Sequence, residues 1–281
     1  MPTSSSDNIP PACDLDAFRD EVWAHYRARG REMPWRGVDD PYAVLVSEVM
    51  LQQTQVARVL EKYPEWLAAF PTLDALAAAP LAAVLELWQG LGYNRRALAL
   101  RKTAEIAAER FGGTLPADEV LLRTFPGIGP TTAAAIMDYA FQVPAPFIET
   151  NVRAVFLHRF FADADDVPDS VLRPIVVATW DHDDPRGWGY ALMDLGVHLK
   201  RTVTNPSRRS RHHTRQSRFE GSKRQMRARL LRAVLARPGL PAEDYAPEAG
   251  AGAEEARVLL EELANEGFLV SRGETWSVPG A

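Results

Sequence analysis

The sequence is poor in cysteine and lacks long apolar runs. Its one cysteine, Cys13, excludes an intramolecular disulfide framework and a cysteine-rich metal site. No uninterrupted apolar stretch is long enough to cross a bilayer. Residues 1–13 are polar and proline-rich, which is typical of a disordered leader rather than a signal peptide. We therefore expect a cytoplasmic protein without a membrane partner.

Acidic residues outnumber basic residues in the whole chain, but the basic residues are concentrated in one segment. The formal net charge of −5 does not indicate a nucleic-acid-binding protein. Between residues 200 and 232, however, twelve Lys and Arg residues accompany a single acidic residue, Glu220. Such a segment is typical either of a phosphate-binding surface or of a solvated helix face or tail. Charge alone does not separate these two interpretations.

Alternation of apolar and polar residues at period two is almost absent before Gly267. Apolar residues recur instead at helical spacing, which predicts an all-α main body of roughly 200 residues with short connections. The last part differs: helices are predicted at 223–236 and 254–266, with loop or weak helix at 239–252. A hairpin with its turn at Gly273 follows. Residues 223–281 therefore resemble a small winged-helix-like α+β domain.

The second helix of this C-terminal domain is acidic. Its glutamates are unsuited to insertion into a DNA groove, because they would face phosphates. We expect a supporting role for this domain, or a contact with a protein partner. The glutamates are Glu254, Glu255, Glu261 and Glu262.

A glycine-flanked turn occupies the middle of the chain. Gly127 and Gly129 surround an apolar residue, and Pro130 opens a helix that continues with Thr131 and Thr132. Free backbone N–H groups beside the positive end of a helix form a site for a phosphate oxygen. Placed between two helices, this string resembles a helix-hairpin-helix that grips a DNA backbone. The alternative is an ordinary helix–helix turn.

Five strings in one order carry a wider resemblance. They are W-R at 35–36 with S-E-V-M-L-Q-Q-T-Q-V at 47–56, W-Q-G-L-G-Y-N-R-R-A at 88–97, P-G-I-G-P-T-T at 126–132 and E-T-N-V at 149–152. Over residues 14–200 the chain resembles the adenine DNA glycosylases of the helix-hairpin-helix, endonuclease III-like superfamily. The resemblance implies a two-lobed glycosylase domain at 14–222. It implies one six-helix lobe at about 41–147 and a second lobe from 14–40 plus 148–222.

Cleavage of an N-glycosidic bond needs a flipped base, an acid for the leaving base and a negative charge near the oxocarbenium ion. Glu48 lies on a mostly apolar helix, where burial is expected to raise its pKa and retain a proton. The resemblance gives Glu48 the general-acid role. It also implies that Gln53, with Gln52 beside it, and Tyr93 probe the duplex. Arg36 is implied to be a pocket arginine, and a structural ion pair is equally compatible with the sequence.

The second carboxylate departs from the family pattern. Glu149 stands where the family has an aspartate, so the charge is kept on an arm one methylene longer. Asn151 matches the asparagine that hydrogen-bonds this acid. Thr131 stands where bifunctional relatives have a Schiff-base lysine, and threonine cannot form an imine. We therefore expect a monofunctional glycosylase.

Two further departures concern the cofactor and the substrate. The family's [4Fe–4S] cluster needs four cysteines, and the corresponding residues 200–218 contain none, so we expect no cofactor and no metal. Arg208, Arg209 and Arg211 in this segment are expected to bind DNA. His212 and His213 are interpreted as solvated or phosphate-facing residues.

The C-terminal domain is too short and too helical to be the family's β-rich sensor of 8-oxoguanine. We therefore expect a monomeric, nucleoid-associated DNA repair enzyme that acts on double-stranded DNA, with adenine in a mispair as the expected target. The alternatives are a glycosylase for another damaged or mispaired base and a non-catalytic lesion or junction binder. Both carboxylates argue against the binder, since a protein that only holds an anionic ligand has no use for them.

Overall fold

The computed structural model describes residues 12–213 and 218–280. The expected disordered leader lies outside these residues except for its last two, which already belong to the first helix. The helices are α1 (Ala12–Arg29), α2 (Pro41–Leu51), α3 (Val56–Ala69), α4 (Leu73–Ala78), α5 (Leu81–Trp88), α6 (Arg95–Arg110), α7 (Glu119–Leu122), α8 (Pro130–Tyr139), α9 (Thr150–Phe160), α10 (Asp169–Thr179), α11 (Pro185–Thr202), α12 (Lys223–Ala236), α13 (Ala242–Ala249) and α14 (Ala253–Asn265). A 3-10 helix covers Pro206–Arg209, and the strands are β1 (Leu240–Pro241), β2 (Val270–Arg272) and β3 (Thr275–Ser277).

The chain forms two compact units. The first contains Met1–Glu48 and Leu115–Arg215, and the second contains Val49–Thr114 and Gln216–Ala281. These limits differ from the lobes expected from the sequence, which grouped the hairpin with residues 41–114. The hairpin belongs to the first unit because α8 packs against α11. None of the described helices combines the length and apolarity needed to cross a bilayer.

Aromatic side chains form the core of the first unit. Phe18 of α1 packs edge-on against Phe156 of α9, with 5.2 Å between ring centroids, and against Trp188 of α11 at 6.1 Å. The close approach of α9 and α11 depends on Gly196, because a Cβ there would lie 2.4 Å from the carbonyl oxygen of Asn151. Gly196 therefore fixes the distance between α11 and the first turn of α9.

The helical part of the second unit has a core of its own. Trp66 of α3 and Trp88 of α5 are fully buried and meet edge-on at 5.4 Å. The hydroxyl of Thr72 caps α4 by accepting a hydrogen bond from the N–H of Ala75 at 3.1 Å.

The C-terminal residues of the second unit form the small α+β domain predicted from the sequence. Its three-stranded sheet has the order β1-β3-β2 with antiparallel pairs, and Gly273 in the turn has a φ of 66°. The prediction for 239–252 was incomplete, because this stretch forms β1 and the regular helix α13. Pro247 inside α13 weakens its helical pattern, and Gly250 ends it in a left-handed conformation with φ 70°.

Candidate active site and DNA-binding residues

Glu48 lies near the end of α2, on a helix whose other residues are mostly buried and apolar. Val44, Leu45 and Val49 are each 4% exposed or less. Burial, together with the negative charge of Glu149, raises the pKa of Glu48 to about 7. The sequence predicts this direction and this cause. At neutral pH a substantial fraction of Glu48 therefore carries a proton that it can donate.

Glu149 is the N-cap residue of α9, and its carboxylate is held on both oxygens. Oε1 accepts hydrogen bonds from the backbone N–H groups of Asn151 at 2.5 Å and Val152 at 2.8 Å. Oε2 accepts a hydrogen bond from the Asn151 side-chain amide at 3.2 Å. The contact expected between Asn151 and Glu149 is therefore present, and it fixes the position of the longer acid.

The charge of Glu149 is set by opposing effects. Burial raises its pKa, whereas the backbone hydrogen bond from Val152 and the positive charge of Lys200 lower it, and the net shift is upward. Burial lowers the pKa of Lys200, and Glu149 opposes that shift. Lys200 therefore places a cation near the second carboxylate. Sequence reasoning counted this lysine only as part of the basic segment.

Arg36 forms a buried ion pair with Asp194 of α11. Its Nη1 and Nη2 donate to the two carboxylate oxygens of Asp194, each at 2.8 Å, and Arg31 donates to the same carboxylate from its backbone N–H and from Nε. The Arg36 side chain is 10% exposed. The structure thus shows the ion pair that the sequence left open, and contact of Arg36 with DNA stays a prediction. The guanidinium is bound by Asp194. The sequence does not predict this partner, although Asp194 is an acidic residue on an otherwise buried, apolar face of α11.

Two tyrosines extend this arrangement toward Glu48. The guanidinium of Arg36 lies 4.6 Å from the ring centroid of Tyr190, and Tyr190 stacks on Tyr139 with 4.4 Å between centroids. Burial and the negative charge of Glu48 raise the pKa of both phenols. The Tyr139 hydroxyl is buried and has no hydrogen-bond partner among residues 12–213 and 218–280. Both phenols therefore stay neutral beside the acid, and sequence reasoning missed them because aromatic residues on helices usually serve the core.

The glycine-flanked turn has the conformation that a phosphate site requires. Gly127 has a φ of 78°, Ile128 between the glycines is 4% exposed, and a Cβ at Gly129 would meet open space. Thr131 is exposed at the start of α8, whereas Thr132 is 9% exposed and faces the interior. The N-terminal end of α8 is therefore the anion-attracting group, and DNA binding by Thr132 stays a prediction.

In the second unit, both residues predicted to probe the duplex have a left-handed backbone. Gln53 has a φ of 53° and Tyr93 a φ of 48°, conformations that non-glycine residues rarely adopt. Gln52 and Gln53 are exposed, and Tyr93 is 39% exposed. Strained backbone of this kind is often found at functional positions.

Arg96 of α6 fastens the two loops that carry these residues. Its Nη1 donates to the carbonyls of Val49 at 2.6 Å and Gln52 at 2.7 Å, while Nη2 donates to those of Leu91 and Gly92, each at 2.9 Å. Burial lowers the pKa of Arg96 to about 10, which still leaves it charged at neutral pH. In the sequence Arg96 resembles any surface cation of a helix, so its role was missed.

The three arginines predicted to bind DNA in the basic segment do different things. Arg209 donates to the carbonyl oxygens of Leu157, at 3.0 Å, and Ala162, so it caps the end of α9. Its contact with DNA stays a prediction. Arg211 pairs with Asp166 at 2.7 Å, and Arg208 is exposed. His212 and His213 are exposed as well. Arg215 and its neighbours at 214–217 lie outside the described residues.

Comparison with known proteins assigns this geometry to a family. Residues 46–176 match the sequence profile of the HhH-GPD superfamily base excision DNA repair protein. The thymine/uracil-DNA glycosylase of Pyrobaculum aerophilum is 33% identical over 188 residues, which is 66% of this chain and 76% of that protein. The chain belongs to the HhH-GPD superfamily.

A further relative and a solved structure are also similar to the chain. The adenine DNA glycosylase of Mycobacterium tuberculosis is 40% identical over 179 residues, or 62% of this chain and 59% of that protein. The chain thus spans about three fifths of that relative's length. A trapped endonuclease III–DNA covalent intermediate shares the fold, with a TM-score of 0.54, 21% identity, and coverage of 75% of this chain and 92% of that one. The all-α fold of the main body is thereby confirmed.

The iron–sulfur cluster implied by the resemblance does not fit the residues present. The chain has one cysteine, so it cannot supply four thiolate ligands. Within the described part of the chain, no group of three or more His, Cys, Asp or Glu side chains is arranged to hold a metal ion. Residues 205–211 are instead held by the Arg209 cap, the Arg211–Asp166 pair and a parallel bridge between Val167 and Ser210.

Proposed function

We propose that the chain is a monofunctional DNA glycosylase that flips a base from duplex DNA and hydrolyses its N-glycosidic bond, with adenine in a mispair as the target. The observation that carries the proposal is the pair of half-buried carboxyls, Glu48 and Glu149. Glu48 has its pKa raised to about 7 partly by the charge of Glu149, so the two acids lie in one electrostatic environment. One acid can carry a proton while the other is held by three hydrogen bonds.

The two acids then divide the reaction between them. Glu48 donates its proton to the departing base, which leaves as a neutral molecule. The C1′–N bond breaks and positive charge develops on the sugar. Glu149, fixed on both oxygens by Asn151 and Val152, faces that charge with a negative one. Water then adds to the sugar carbon and its proton is released, leaving an abasic site.

Adenine is supported by the 40% identity to the adenine DNA glycosylase of Mycobacterium tuberculosis. A second target, a base other than adenine, is supported by Glu149 in place of the family aspartate. The similar Pyrobaculum aerophilum protein is a thymine/uracil-DNA glycosylase. Thr131 offers no amine for an imine, which supports hydrolysis without strand cleavage.

A panel of defined duplexes tests this function. Each duplex carries one mispair or one altered base, and abasic sites are scored after alkali treatment with and without borohydride. We expect abasic sites at adenine in a mispair, and no covalent protein–DNA adduct with borohydride. Release of a different base, with no release of adenine, would show that the second target is the correct one. A protein that binds these duplexes without releasing any base would be the lesion binder, and the proposal would fail.

We also propose that the protein works without an iron–sulfur cluster, as a monomer associated with DNA in the cytoplasm, and that its C-terminal domain contacts a protein partner. The cluster proposal is supported by the arginine contacts of residues 205–211. Iron analysis of the purified protein and glycosylase assays with chelator test it. Stoichiometric iron in a folded, active preparation would contradict it.

A further inference from the structure

The C-terminal domain touches a residue that is predicted to probe the duplex. Nη1 of Arg224, in the first turn of α12, donates a hydrogen bond to the Tyr93 hydroxyl at 2.7 Å. The guanidinium carbon of Arg224 also lies 5.6 Å from the centroid of the Tyr93 ring. The two residues are 131 positions apart in the chain and belong to the same compact unit. The contact is therefore a tertiary one, made by the domain for which the sequence predicts a supporting role or a contact with a protein partner.

An ion pair reinforces this contact two residues further along the chain, at the first residue of α6. Nε and Nη2 of Arg95 donate to the two carboxylate oxygens of Glu266, just after α14, at 2.9 and 2.8 Å. Glu266 also pairs with Arg227 of α12 at 2.8 Å. The Arg95 side chain is 76% exposed, so this pair adds little free energy by itself. The pair nevertheless fixes the position of the start of α6, next to Tyr93, relative to α12.

The Tyr93 ring is partly exposed and lies close to two arginines. The ring is 39% exposed, and its backbone is in the left-handed region with a φ of 48°. The guanidinium carbon of Arg96 lies 5.7 Å from the same ring centroid, but Arg96 uses its N–H groups on loop carbonyls. The hydrogen bond from Arg224 is directional, so it determines where the hydroxyl end of the ring points.

We propose that Arg224 is a positioning residue for Tyr93, through which the C-terminal domain presets the ring that enters the duplex. The proposal rests on the proposed function in that DNA is the ligand. The ring is ordered before DNA arrives, so the entropy cost of ordering it is not incurred on binding. Loss of Arg224 thus weakens insertion by Tyr93 without altering the proton donor.

A double-mutant cycle between Tyr93→Phe and Arg224→Met tests the proposal. Tyr93→Phe keeps the ring and removes the acceptor, while Arg224→Met keeps most of the side-chain length and removes the donor. The probe is a duplex with 2-aminopurine beside an adenine mispair, whose fluorescence rises when the neighbouring base unstacks. Single-turnover base release is measured on the same mispair.

We expect each single variant to lower the unstacking amplitude about threefold or more, and the double variant to be no worse than either, because both remove the same contact. Arg257→Met on α14 is the matched control. It removes one exposed arginine of the same domain, which pairs with Glu254 and Glu261, and should leave the amplitude unchanged. Arg224→Lys keeps the charge and a donor, and should restore part of the loss.

Additive effects of the two substitutions would overturn the proposal and make Arg224 an independent phosphate contact. An Arg224→Met protein that behaves like Arg257→Met would overturn it as well. If no duplex yields abasic sites while the coupling between Tyr93 and Arg224 persists in the fluorescence signal, the glycosylase function fails and the positioning role stands. A wild-type protein that unstacks no mispaired duplex would overturn both.

Discussion

Asn151 donates two hydrogen bonds to Glu149, one from its backbone N–H at 2.5 Å and one from its side-chain amide at 3.2 Å. The two bonds reach different oxygens of the same carboxylate, so the acid cannot rotate without losing one of them. Since the carboxylate also caps α9, its position is tied to the helix itself. The glutamate is therefore built into the site rather than merely tolerated there.

Replacement of Glu149 by Gln is expected to reduce base release about 100-fold or more, because removal of the negative charge leaves the developing oxocarbenium ion unsupported. Glu149→Asp should fold and bind DNA, since aspartate is a favoured N-cap residue, yet it should lose activity because the carboxylate is withdrawn by one methylene. Single-turnover rates and thermal unfolding of both variants are the measurements. Wild-type rates in Glu149→Gln would exclude a catalytic role for this acid.

Glu48→Gln should bind a mispaired duplex with near-wild-type affinity and lose base release by at least about 100-fold, since an amide cannot deliver a proton. Binding is measured by fluorescence anisotropy and cleavage by single-turnover assay on the same duplex. Retention of base release would remove Glu48 from the mechanism.

The rate of base release should depend on pH through Glu48. Its pKa is raised to about 7, and the acid form is the active one, so the single-turnover rate should be constant below about pH 6 and fall about tenfold per pH unit above pH 8. Asp138 is a second buried carboxyl with a raised pKa, so Asp138→Asn is the control. A profile that rises with pH would show that Glu48 acts in its ionised form.

Asp138 should couple stability to pH. Burial raises its pKa to about 8, although hydrogen bonds from Trp180 and Ala145 oppose the shift. The folded-state pKa lies above the ordinary value, so the stabilising effect of protonation is complete below about pH 4 and is lost as pH rises toward 8. The unfolding free energy of Asp138→Asn should therefore rise relative to that of the wild type by about 1.4 kcal/mol for each pH unit from pH 5 to pH 7. Urea unfolding measures it, and a constant difference would contradict the shift.

Arg208 and Arg209 are adjacent, yet their replacement should have different effects. Arg209→Met removes hydrogen bonds to two carbonyls at the end of α9 and should destabilise the fold by about 1–3 kcal/mol. Arg208→Met should leave stability unchanged and reduce the slope of log K against log salt by about one. Urea unfolding and salt-dependent DNA binding separate the two. If the two variants had equal effects on stability and on the salt slope, Arg209 as the helix cap and Arg208 as the DNA contact would not have distinct roles.

The sequence predicts what depends on local pattern. The apolar residues around Glu48 predict its burial, and the short spacing from Glu149 to Asn151 predicts their contact. Asp194 is different, because its partner Arg36 lies 158 residues away and no local pattern connects them. The helix cap made by Arg209 is not predicted for a related reason. An arginine that caps a helix and one that binds a phosphate look alike in a sequence, since both donate hydrogen bonds to oxygen atoms.

The left-handed backbones of Gln53 and Tyr93 limit how this protein can be made more heat-resistant. A non-glycine residue in this conformation costs roughly 1–2 kcal/mol, so glycine at either position recovers part of that free energy. The same substitution removes a side chain proposed to examine DNA. Selection for stability alone will therefore favour variants that are more stable but examine DNA less well.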